Sequence, residues 1–487
     1  MDYAEINTIR QQFLSGQWPQ MLQSVSIDGL RGWAGEAVNF RFPIVAIVGE
    51  NGSGKSTVLK VAASAYGNTD ESKRFRPSDF FVSTHWDQIQ GVKLNYQALR
   101  GTQLLNYSIN KPSERWRESA NKPPVRNVFF LEISRTLPLD ASVGYAAIAR
   151  KTASVITEDV VTDPYRLRLS HVLGREYLAA RFDTSNVDAK RPVGLLTREW
   201  GQVSGFHQGA GEDTTLDLVR MLQGIPNNSL LIIDEVEASL HPKAQRRLMR
   251  FLLWFSRQKR VQVIVSTHSP YILEEIPEEA RIMLLRSGAI VNVIYGISPE
   301  FAMSRLDDEI HPELFVHVED REAASWMREI LASSLTTSPF LQRIQIDAVG
   351  ASNVVKTMHT LAVGNKLPYK GLAVLDGDNR VDGIACLPGT LAPERQIFAD
   401  LKNQDWADLT ARFGIGAGTL FTALDDAMLE PDHHRWTALI GDRVHKSSSS
   451  VWDILVSSWC AHCLLAVDRE ALRDAIVAKI GENPPGI

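Results

Sequence analysis

A glycine-rich loop between a short apolar strand and a helix is the feature that most constrains this chain. Residues 43–48 are almost continuously apolar and predict a buried strand. They lead directly into residues 49–57, GENGSGKST, which have the form G-x-x-x-x-G-K-S, and then into an apolar segment that predicts a helix. This order of strand, loop and helix indicates an α/β sheet that binds phosphate at the carboxyl ends of its strands.

The residue types in this loop specify the chemistry. Its glycines let backbone N–H groups turn toward a phosphate, and the helix N-terminus adds its positive dipole. We expect Lys55 to reach the β- and γ-phosphates of ATP, and Ser56 to bind Mg²⁺. The predicted nucleotide-binding residues are Asn51, Gly52, Ser53, Gly54, Lys55, Ser56 and Thr57.

Two later apolar strands also end on polar side chains. Residues 230–233 run into Asp234 and Glu235, and residues 261–265 run toward His268. Because parallel strands end at one edge of a sheet, these side chains are expected near the phosphate loop. We predict that Asp234 binds the metal ion, that Glu235 orients or deprotonates the attacking water, and that His268 senses the γ-phosphate.

A second group of strands and helices begins near residue 300. One predicted strand ends on Glu319, and another ends on Asp376 and Asp378. Three carboxylates from two strand ends predict an oxygen-ligand site for Mg²⁺ or Mn²⁺. Such ions support phosphodiester hydrolysis by activating water and stabilising the leaving oxygen.

The first half of the chain resembles the ABC-type ATPases. Residues 49–57, 230–242 (LLIIDEVEASLHP) and 263–270 (VIVSTHSP) resemble their Walker A, Walker B and switch motifs. Residues 25–32 resemble the first strand and turn of the subgroup that contains RecF and the overcoming-lysogenisation-defect (OLD) proteins. The resemblance implies a homodimer through the ATPase heads, with a higher oligomer left open.

The resemblance also implies a signature loop, donated across the dimer to the partner's γ-phosphate. The candidate is residues 208–212, QGAGE, which precede a predicted helix. Gly211 is the residue expected to contact the nucleotide. This loop departs from the usual S-G-G-Q form because it lacks the serine.

The second half resembles a Toprim (topoisomerase–primase) domain, in which Glu319 takes the place of the glutamate and Asp376 and Asp378 that of the D-x-D motif. The OLD nucleases combine such a domain with an ABC-type head. The resemblance implies a DNA endonuclease with Asp376 as a catalytic residue, with ATP and Mg²⁺ (or Mn²⁺) as cofactors, and with an anti-phage role. It further implies Glu394 as a metal acid and Lys446 as a catalytic lysine.

The sequence departs from the Toprim pattern beside the glutamate. The family usually has glycine after the glutamate and a second acid four residues on, whereas this chain has Asp320 and Ala323. The first alternative is therefore an ATPase sensor with a degenerate Toprim domain that acts through a separate effector protein. The second is a RecF-like repair ATPase that binds DNA without cutting it.

The predicted fold is α/β. We expect an ABC-type ATPase head over residues 1–300, with a mostly parallel sheet and a helical insert at about residues 90–200. A smaller Toprim-like α/β domain is expected over residues 301–420. A helical C-terminal region is expected over residues 421–487.

Composition limits partner and compartment. The chain has three cysteines, begins without a signal peptide and holds no run of about 18 apolar residues, which predicts a cytoplasmic protein with no membrane partner. Its net charge is −5, so DNA would have to bind a local basic patch. The candidate residues, which solvation alone also explains, are Arg115, Arg117, Lys122, Arg126, Arg246, Arg247, Arg250, Arg257, Lys259 and Arg260.

Cys460 and Cys463 form a single C-x-x-C motif, and His433 and His434 are adjacent. Together they have ligand types that zinc uses. The cysteines lie in a strongly apolar stretch, however, where cysteine usually packs as a small hydrophobic residue. We favour packing over zinc binding.

Overall fold

The computed structural model describes residues 1–133, 155–185, 188–288, 290–307 and 311–481. It divides into two compact units. The first unit is Met1–Leu306, and the second begins at Asp307.

The described strands of the first unit form three sheets. The strands are β1 Gln20–Leu30, β2 Trp33–Asn39, β3 Ile44–Val48, β4 Val92–Arg100, β5 Gln103–Lys111, β6 Arg117–Glu118, β7 Val128–Leu131, β8 Val155–Val160, β9 Ala179–Ser185, β10 Asp188–Arg198, β11 Gly201–Ser204, β12 Leu230–Ile233, β13 Gln262–Thr267, β14 Arg281–Ser287 and β15 Ile290–Tyr295. The sheet orders are β2-β1-β4-β5-β6, β11-β10-β9-β8 and β15-β14-β3-β13-β12-β7. The first two sheets are antiparallel, and the third is parallel except for β15.

The parallel sheet positions the nucleotide-binding loop. Strand β3 is buried along its whole length between β13 and β14, as its apolar run predicts. Strand β12 is equally buried and lies on the other side of β13. The carboxyl ends of β3, β12 and β13 therefore share one edge. The described helices of this unit are Tyr3–Leu14, Lys55–Ala63, Pro77–Phe80, Asp163–Leu173, Ala210–Gly224, Pro242–Lys259, Pro270–Leu273 and Pro299–Leu306.

The prediction of a helical insert at residues 90–200 is wrong for most of its described part. Strands β4 and β5 pair along their full length as a hairpin, and β8, β9 and β10 form much of another sheet. Only Asp163–Leu173 is a helix longer than one turn in the described part of this range. In β4, alternate side chains from Val92 onward are buried, which is the period of a strand rather than of a helix.

The second unit contains a parallel sheet and many helices. Its described strands are β16 Leu314–Val318, β17 Ile344–Ala348, β18 Gly371–Leu375 and β19 Ala385–Cys386, in the order β17-β16-β18-β19. All of the pairings among them are parallel. The described helices are Arg321–Ala332, Ser352–Val363, Pro393–Asn403, Leu409–Phe413, Ala417–Ala427, Trp436–Val444, Ser448–His462 and Ala466–Ile480. The α/β fold class, its mostly parallel sheet and the helical C-terminus are confirmed.

The predicted boundary at residue 420 does not separate two compact bodies. A single core in the second unit contains residues of the sheet, such as Leu314 and Val374, together with Trp452 and Ile476 of the last helices. Trp326 of an earlier helix packs edge-to-face on Trp459, with ring centroids 5.0 Å apart. The C-terminal helices complete the core of the second unit because they cover the apolar sides of the helices that pack on its sheet.

Candidate functional site

Close packing accounts for two glycines of the loop after β3. A Cβ atom at Gly49 would lie 2.4 Å from the Leu284 carbonyl oxygen, and one at Gly54 would lie 2.9 Å from Trp33 Nε1. Gly54 also has a φ of 108°, a backbone conformation that residues other than glycine rarely adopt. The two glycines therefore let the loop pack closely against its neighbours at the start of the helix Lys55–Ala63.

The side chain of Lys55 reaches back into the glycine-rich loop that precedes it. Its Nζ donates hydrogen bonds to the Gly49 carbonyl at 2.8 Å and to the Glu50 carbonyl at 3.1 Å. Burial lowers the pKa of Lys55, and the nearby Glu235 and Asp234 carboxylates oppose that shift. A buried ammonium group held by the loop fits the role of a phosphate-binding lysine.

Ser56 and Asp234 meet where a magnesium ion would be held. Ser56 Oγ lies 3.3 Å from Asp234 Oδ2, and the Ser266 hydroxyl donates to Asp234 Oδ1 at 2.5 Å. Ser266 Oγ also accepts a hydrogen bond from the Glu235 N–H at 2.8 Å. A hydroxyl and a carboxylate so placed fit the oxygen ligands that Mg²⁺ requires. Sequence reasoning missed Ser266, although it directly precedes Thr267 and His268 at the end of a predicted strand.

Glu235 and His268 lie in contact at this edge. His268 Nε2 lies 3.2 Å from Glu235 Oε1, and the hydrogen bond from His268 lowers the pKa of Glu235. Glu237 fixes the other side, because its Oε1 accepts a hydrogen bond from the His268 N–H at 2.6 Å. Glu235 has a φ of 47°, a left-handed conformation that costs a non-glycine residue about 1–2 kcal/mol. An ionised carboxylate in this position can accept a proton from water.

Gly211 lies in the first turn of the helix Ala210–Gly224. A Cβ atom there would lie 2.8 Å from the Ser239 carbonyl oxygen, so the helix approaches the loop after β12 closely. The neighbouring Glu212 accepts hydrogen bonds from Tyr177 and Arg198. These contacts anchor the turn within its own chain. They leave the predicted contact of Gly211 with a partner's nucleotide as a prediction.

In the second unit, Glu319 and Asp376 meet at the carboxyl edge of the sheet. They follow the neighbouring strands β16 and β18, and the Asp376 N–H donates to Glu319 Oε1 at 3.1 Å. Asn379 joins this group by donating from Nδ2 to Glu319 Oε1 at 3.3 Å and to Asp378 Oδ1 at 3.1 Å. The three predicted acids are thus brought together. Asn379 was not predicted, because a single amide after a D-x-D motif carries no distinctive spacing.

The electrostatics of this edge suit a bound cation. Asp376 is only 5% exposed, and burial, followed by the Glu319, Asp320 and Asp378 carboxylates, raises its pKa to about 8. Its Oδ1 atom has no hydrogen-bond partner among the described residues. A buried carboxylate beside the half-buried Glu319 and the exposed Asp378 fits a divalent cation, which the three acids would hold through oxygen ligands.

Glu394 and Lys446 have different surroundings. Glu394 is buried, and its Oε1 lies 2.8 Å from His434 Nδ1. Its charge contributes to the raised pKa of Asp376, which places it near the acids. Lys446 follows the helix Trp436–Val444, and no described hydrogen bond or ion pair joins its side chain to those acids. The catalytic role of Lys446 therefore stays a prediction.

The departures from the Toprim pattern have local structural reasons. Asp320 caps the helix Arg321–Ala332, because its Oδ1 accepts a hydrogen bond from the Ala323 N–H at 2.8 Å. Ala323 is fully buried in the core of the second unit, where an ionised acid would be costly. Ala323 therefore serves as a packing residue at the position where the Toprim pattern has an acid.

Several of the predicted basic residues serve the fold instead of forming a free surface. Arg126 is 5% exposed and donates to the Asn228 carbonyl at 2.8 Å and to the Ser229 carbonyl at 3.0 Å. In the helix Pro242–Lys259, three basic side chains pair with acids of the same unit; these pairs are Arg246–Glu274, Arg250–Glu275 and Arg257–Glu5. The sequence could not distinguish such paired side chains from a DNA-binding patch.

Two family models match segments of the first unit. One model, described as "AAA domain", matches residues 24–100, and another, "AAA domain, putative AbiEii toxin, Type IV TA system", matches residues 213–274. The phosphonates import ATP-binding protein PhnC of Wolinella succinogenes is 28% identical over 209 residues, which cover 42% of this chain and 67% of that protein. The first unit is an ATP-binding domain of the AAA/ABC class.

Other relatives match shorter segments of the chain. The protein PhnC 1 of Haloquadratum walsbyi is 32% identical over 24% of this chain, and protein ea59 of Escherichia phage lambda is 31% identical over 16%. These matches span 36% and 15% of the respective relatives. Among solved structures, the SMC head domain from Thermotoga maritima aligns with 56% of this chain and 98% of its own, at 14% identity and a TM-score of 0.37.

Within the described residues, no single helix has both the length and the apolar character needed to cross a membrane. The helices Ser448–His462 and Ala466–Ile480 meet those criteria only as a pair, and they are bent by 108° relative to each other.

Proposed function

We propose that this chain is an OLD-type nuclease, in which an ABC-type ATPase domain controls a Toprim-like, metal-dependent DNA endonuclease in the second unit. The observation that carries the proposal is Asp376. It is a buried carboxyl group with a pKa raised to about 8 and an unpartnered oxygen, at a sheet edge that it shares with Glu319. A buried, unpartnered carboxylate oxygen is costly for packing alone, whereas a metal ion for phosphodiester hydrolysis needs such a ligand.

The acids would hold Mg²⁺ or Mn²⁺, which would supply an activated water and stabilise the leaving oxygen. Asn379 donates to Glu319 and Asp378, so it would orient both acids toward a common centre. Asp376 would act as the catalytic metal-binding residue. Lys446 is proposed as the cation that stabilises the leaving oxygen, on the Toprim resemblance alone.

Control by nucleotide rests on the ATPase domain. We propose that ATP joins two heads, with Lys55, Asp234, Glu235 and His268 of one protomer facing Gly211 of the other. The convergence of Ser56, Asp234 and Glu235 around Ser266 supports the hydrolytic half of this site. An anti-phage role follows from the OLD resemblance only.

Plasmid cleavage tests the endonuclease. Supercoiled DNA is incubated with the full chain in Mg²⁺ or Mn²⁺, with and without ATP, and nicked and linear products are measured. We expect Asp376→Asn to lose cleavage at least 100-fold while ATP hydrolysis is retained. Asp382→Asn, which changes an exposed aspartate of the same unit, is the matched control. Comparison with Lys55→Ala shows whether nucleotide activates or restrains cleavage.

A second candidate is an ATPase sensor that acts through a separate effector protein. Ala323 favours it, since this buried position holds no acid where the Toprim pattern has one. If no metal ion supports cleavage by the wild-type chain while ATP is hydrolysed, the endonuclease proposal is wrong and this candidate replaces it.

A further inference from the structure

A group of three potential metal ligands lies beside the acidic edge, and the Toprim resemblance gives a metal role to Glu394 alone among them. Glu394 is in the first turn of the helix Pro393–Asn403, whereas His433 and His434 form a short turn after Asp432. One ligand atom from each of Glu394, His433 and His434 can be chosen so that all three lie within 4.8 Å of one another. Forty residues of sequence separate the glutamate from His434, so the fold itself creates this group.

The distances suit a small tetrahedral ion. His434 Nδ1 lies 2.8 Å from Glu394 Oε1, and His433 Nε2 lies 3.8 Å from Glu394 Oε2. Zinc binds nitrogen and oxygen at about 2.0–2.1 Å, so two ligands of a tetrahedral site are separated by about 3.4 Å. The two observed separations lie on either side of that value. Both imidazoles therefore face the same carboxylate at distances that a bound ion could equalise.

A second observation points to a ligand at this place. Glu394 is only 2% exposed, and its Oε2 atom has no hydrogen-bond partner among the described residues. A buried carboxylate oxygen without a hydrogen bond is costly. The atom that Glu394 leaves unpaired is the one that faces His433. An ion between that oxygen and the imidazole would remove the cost.

The donor set separates this group from the neighbouring acids. Glu319, Asp376 and Asp378 offer only oxygen, which Mg²⁺ prefers, whereas two imidazoles favour zinc and related transition metals. In the sequence, Cys460 and Cys463 together with these histidines have ligand types that zinc uses. Neither cysteine belongs to this group among the described residues. The third ligand beside the two imidazoles is Glu394, and no spacing rule links it to them in sequence.

We propose that Glu394, His433 and His434 form a binding site for one divalent transition-metal ion of the zinc class, adjacent to and distinct from the oxygen-ligand site of Asp376. Two histidines and one glutamate leave a fourth tetrahedral position for water, as in zinc sites that are open to substrate. The proposal does not depend on the endonuclease, because binding of the ion can be measured without DNA.

Cobalt and zinc binding by the full chain tests this site. The protein is stripped with a chelator, titrated with Co²⁺ while visible absorption is followed, and then back-titrated with Zn²⁺. We expect one Co²⁺ per chain, with tetrahedral absorption bands that Zn²⁺ removes and that excess Mg²⁺ leaves. The variants His433→Ala/His434→Ala and Glu394→Gln should each weaken Co²⁺ binding at least 100-fold.

Two controls keep the outcomes distinct. His359→Ala/His462→Ala removes two histidines of the same unit outside the group and should retain the bands. Asp376→Asn should also retain them, although it abolishes the proposed cleavage. Absence of cobalt bands in the wild-type chain overturns the proposal whatever the variants do. It is equally overturned if the folded double-histidine variant, checked by circular dichroism, binds Co²⁺ as the wild type does.

Discussion

At the scale of single residues, Asp376 links the stability of the metal-free chain to pH. An aspartate in an unfolded chain has a pKa of about 3.9, whereas burial and then Glu319 raise the pKa of Asp376 to about 8. Between these values the folded state holds a proton that the unfolded state has released. This group therefore lowers the free energy of unfolding progressively as the pH rises from about 4 to about 8.

We therefore expect Asp376→Asn to stabilise the metal-free chain at pH 8 much more than at pH 5. The difference should be on the order of 2–4 kcal/mol, because one pKa unit corresponds to about 1.4 kcal/mol. Urea unfolding of the second unit in EDTA at the two pH values measures it. Asp382→Asn should show no such difference. An equal effect of Asp376→Asn at both values would mean that the carboxyl group is ionised throughout.

Glu235 supports a prediction about turnover. Its pKa is lowered by the hydrogen bond from His268, so it is ionised and able to accept a proton from water. Glu235→Gln should reduce ATP hydrolysis by about 10²–10⁴-fold, the range for loss of a general base. Nucleotide affinity should change little, since Lys55 and the loop hold the phosphates. Phosphate release and binding of a fluorescent ATP analogue measure the two effects.

The exposed Glu278→Gln is the matched control for this change, because it removes a carboxylate of the same unit away from His268. It should leave turnover intact. Turnover of Glu235→Gln within tenfold of the wild type would assign the base to another group.

At the scale of elements, one lysine stabilises the end of a helix. Lys259 Nζ donates to the Leu222 carbonyl at 3.2 Å and to the Gln223 and Ile225 carbonyls at 2.7 Å each, where the helix Ala210–Gly224 ends. Lys259→Met should lower the free energy of unfolding by about 1–3 kcal/mol, because these partly buried carbonyl oxygens lose a charged donor. Urea unfolding measures the loss. Lys243→Met, an exposed change in the same helix as Lys259, should cost much less, and equal losses would contradict this role.

The elements also show what local sequence can predict. Strands β3, β12, β16 and β18 were predicted because each is a short apolar run that ends on polar residues. Such a run is the expected sequence signal of a strand that is buried on both faces. The β4–β5 hairpin was missed, although Val92, Leu94, Tyr96 and Ala98 are buried at alternate positions. Its sequence signal was the alternation of apolar and polar residues along the strand. The assignment of residues 90–200 to a helical insert gave that alternation no weight.

The site shows the same limit more sharply. Glu319 and Asp376 were predicted to meet because parallel strand ends share an edge, which is a rule of topology. The pairing of Glu394 with His434 depends on how the helix Pro393–Asn403 packs against the turn at His433–Arg435, and no local pattern encodes that packing. The burial of Arg126 and Ala323 was also hidden, because the sequence does not show which side of an element faces the core.

At the scale of the whole molecule, the proposed dimer predicts that ATP binding increases the molar mass of the particle in solution. If the heads close over two nucleotides, a variant that binds ATP but cannot hydrolyse it should accumulate as the closed dimer. Glu235→Gln with ATP and Mg²⁺ should therefore double the molar mass measured by light scattering. Lys55→Ala, which removes the phosphate-binding ammonium group, should keep the mass that the chain has without nucleotide.

Gly211 distinguishes closure through the heads from any other association. It lies at a helix start where even a Cβ atom would crowd the Ser239 carbonyl, and the proposed partner phosphate needs a bare backbone there. Gly211→Asp in the Glu235→Gln background should still bind ATP through its own loop but should fail to dimerise, since the new side chain must displace the Ser239 carbonyl and adds a negative charge at the helix start proposed to meet the γ-phosphate. Gly224→Asp, at the far end of the same helix and without close neighbours, is the control that should dimerise normally. Dimerisation of both variants alike would place the interface on another surface of the molecule, and the nucleotide would then control the second unit without closing the heads.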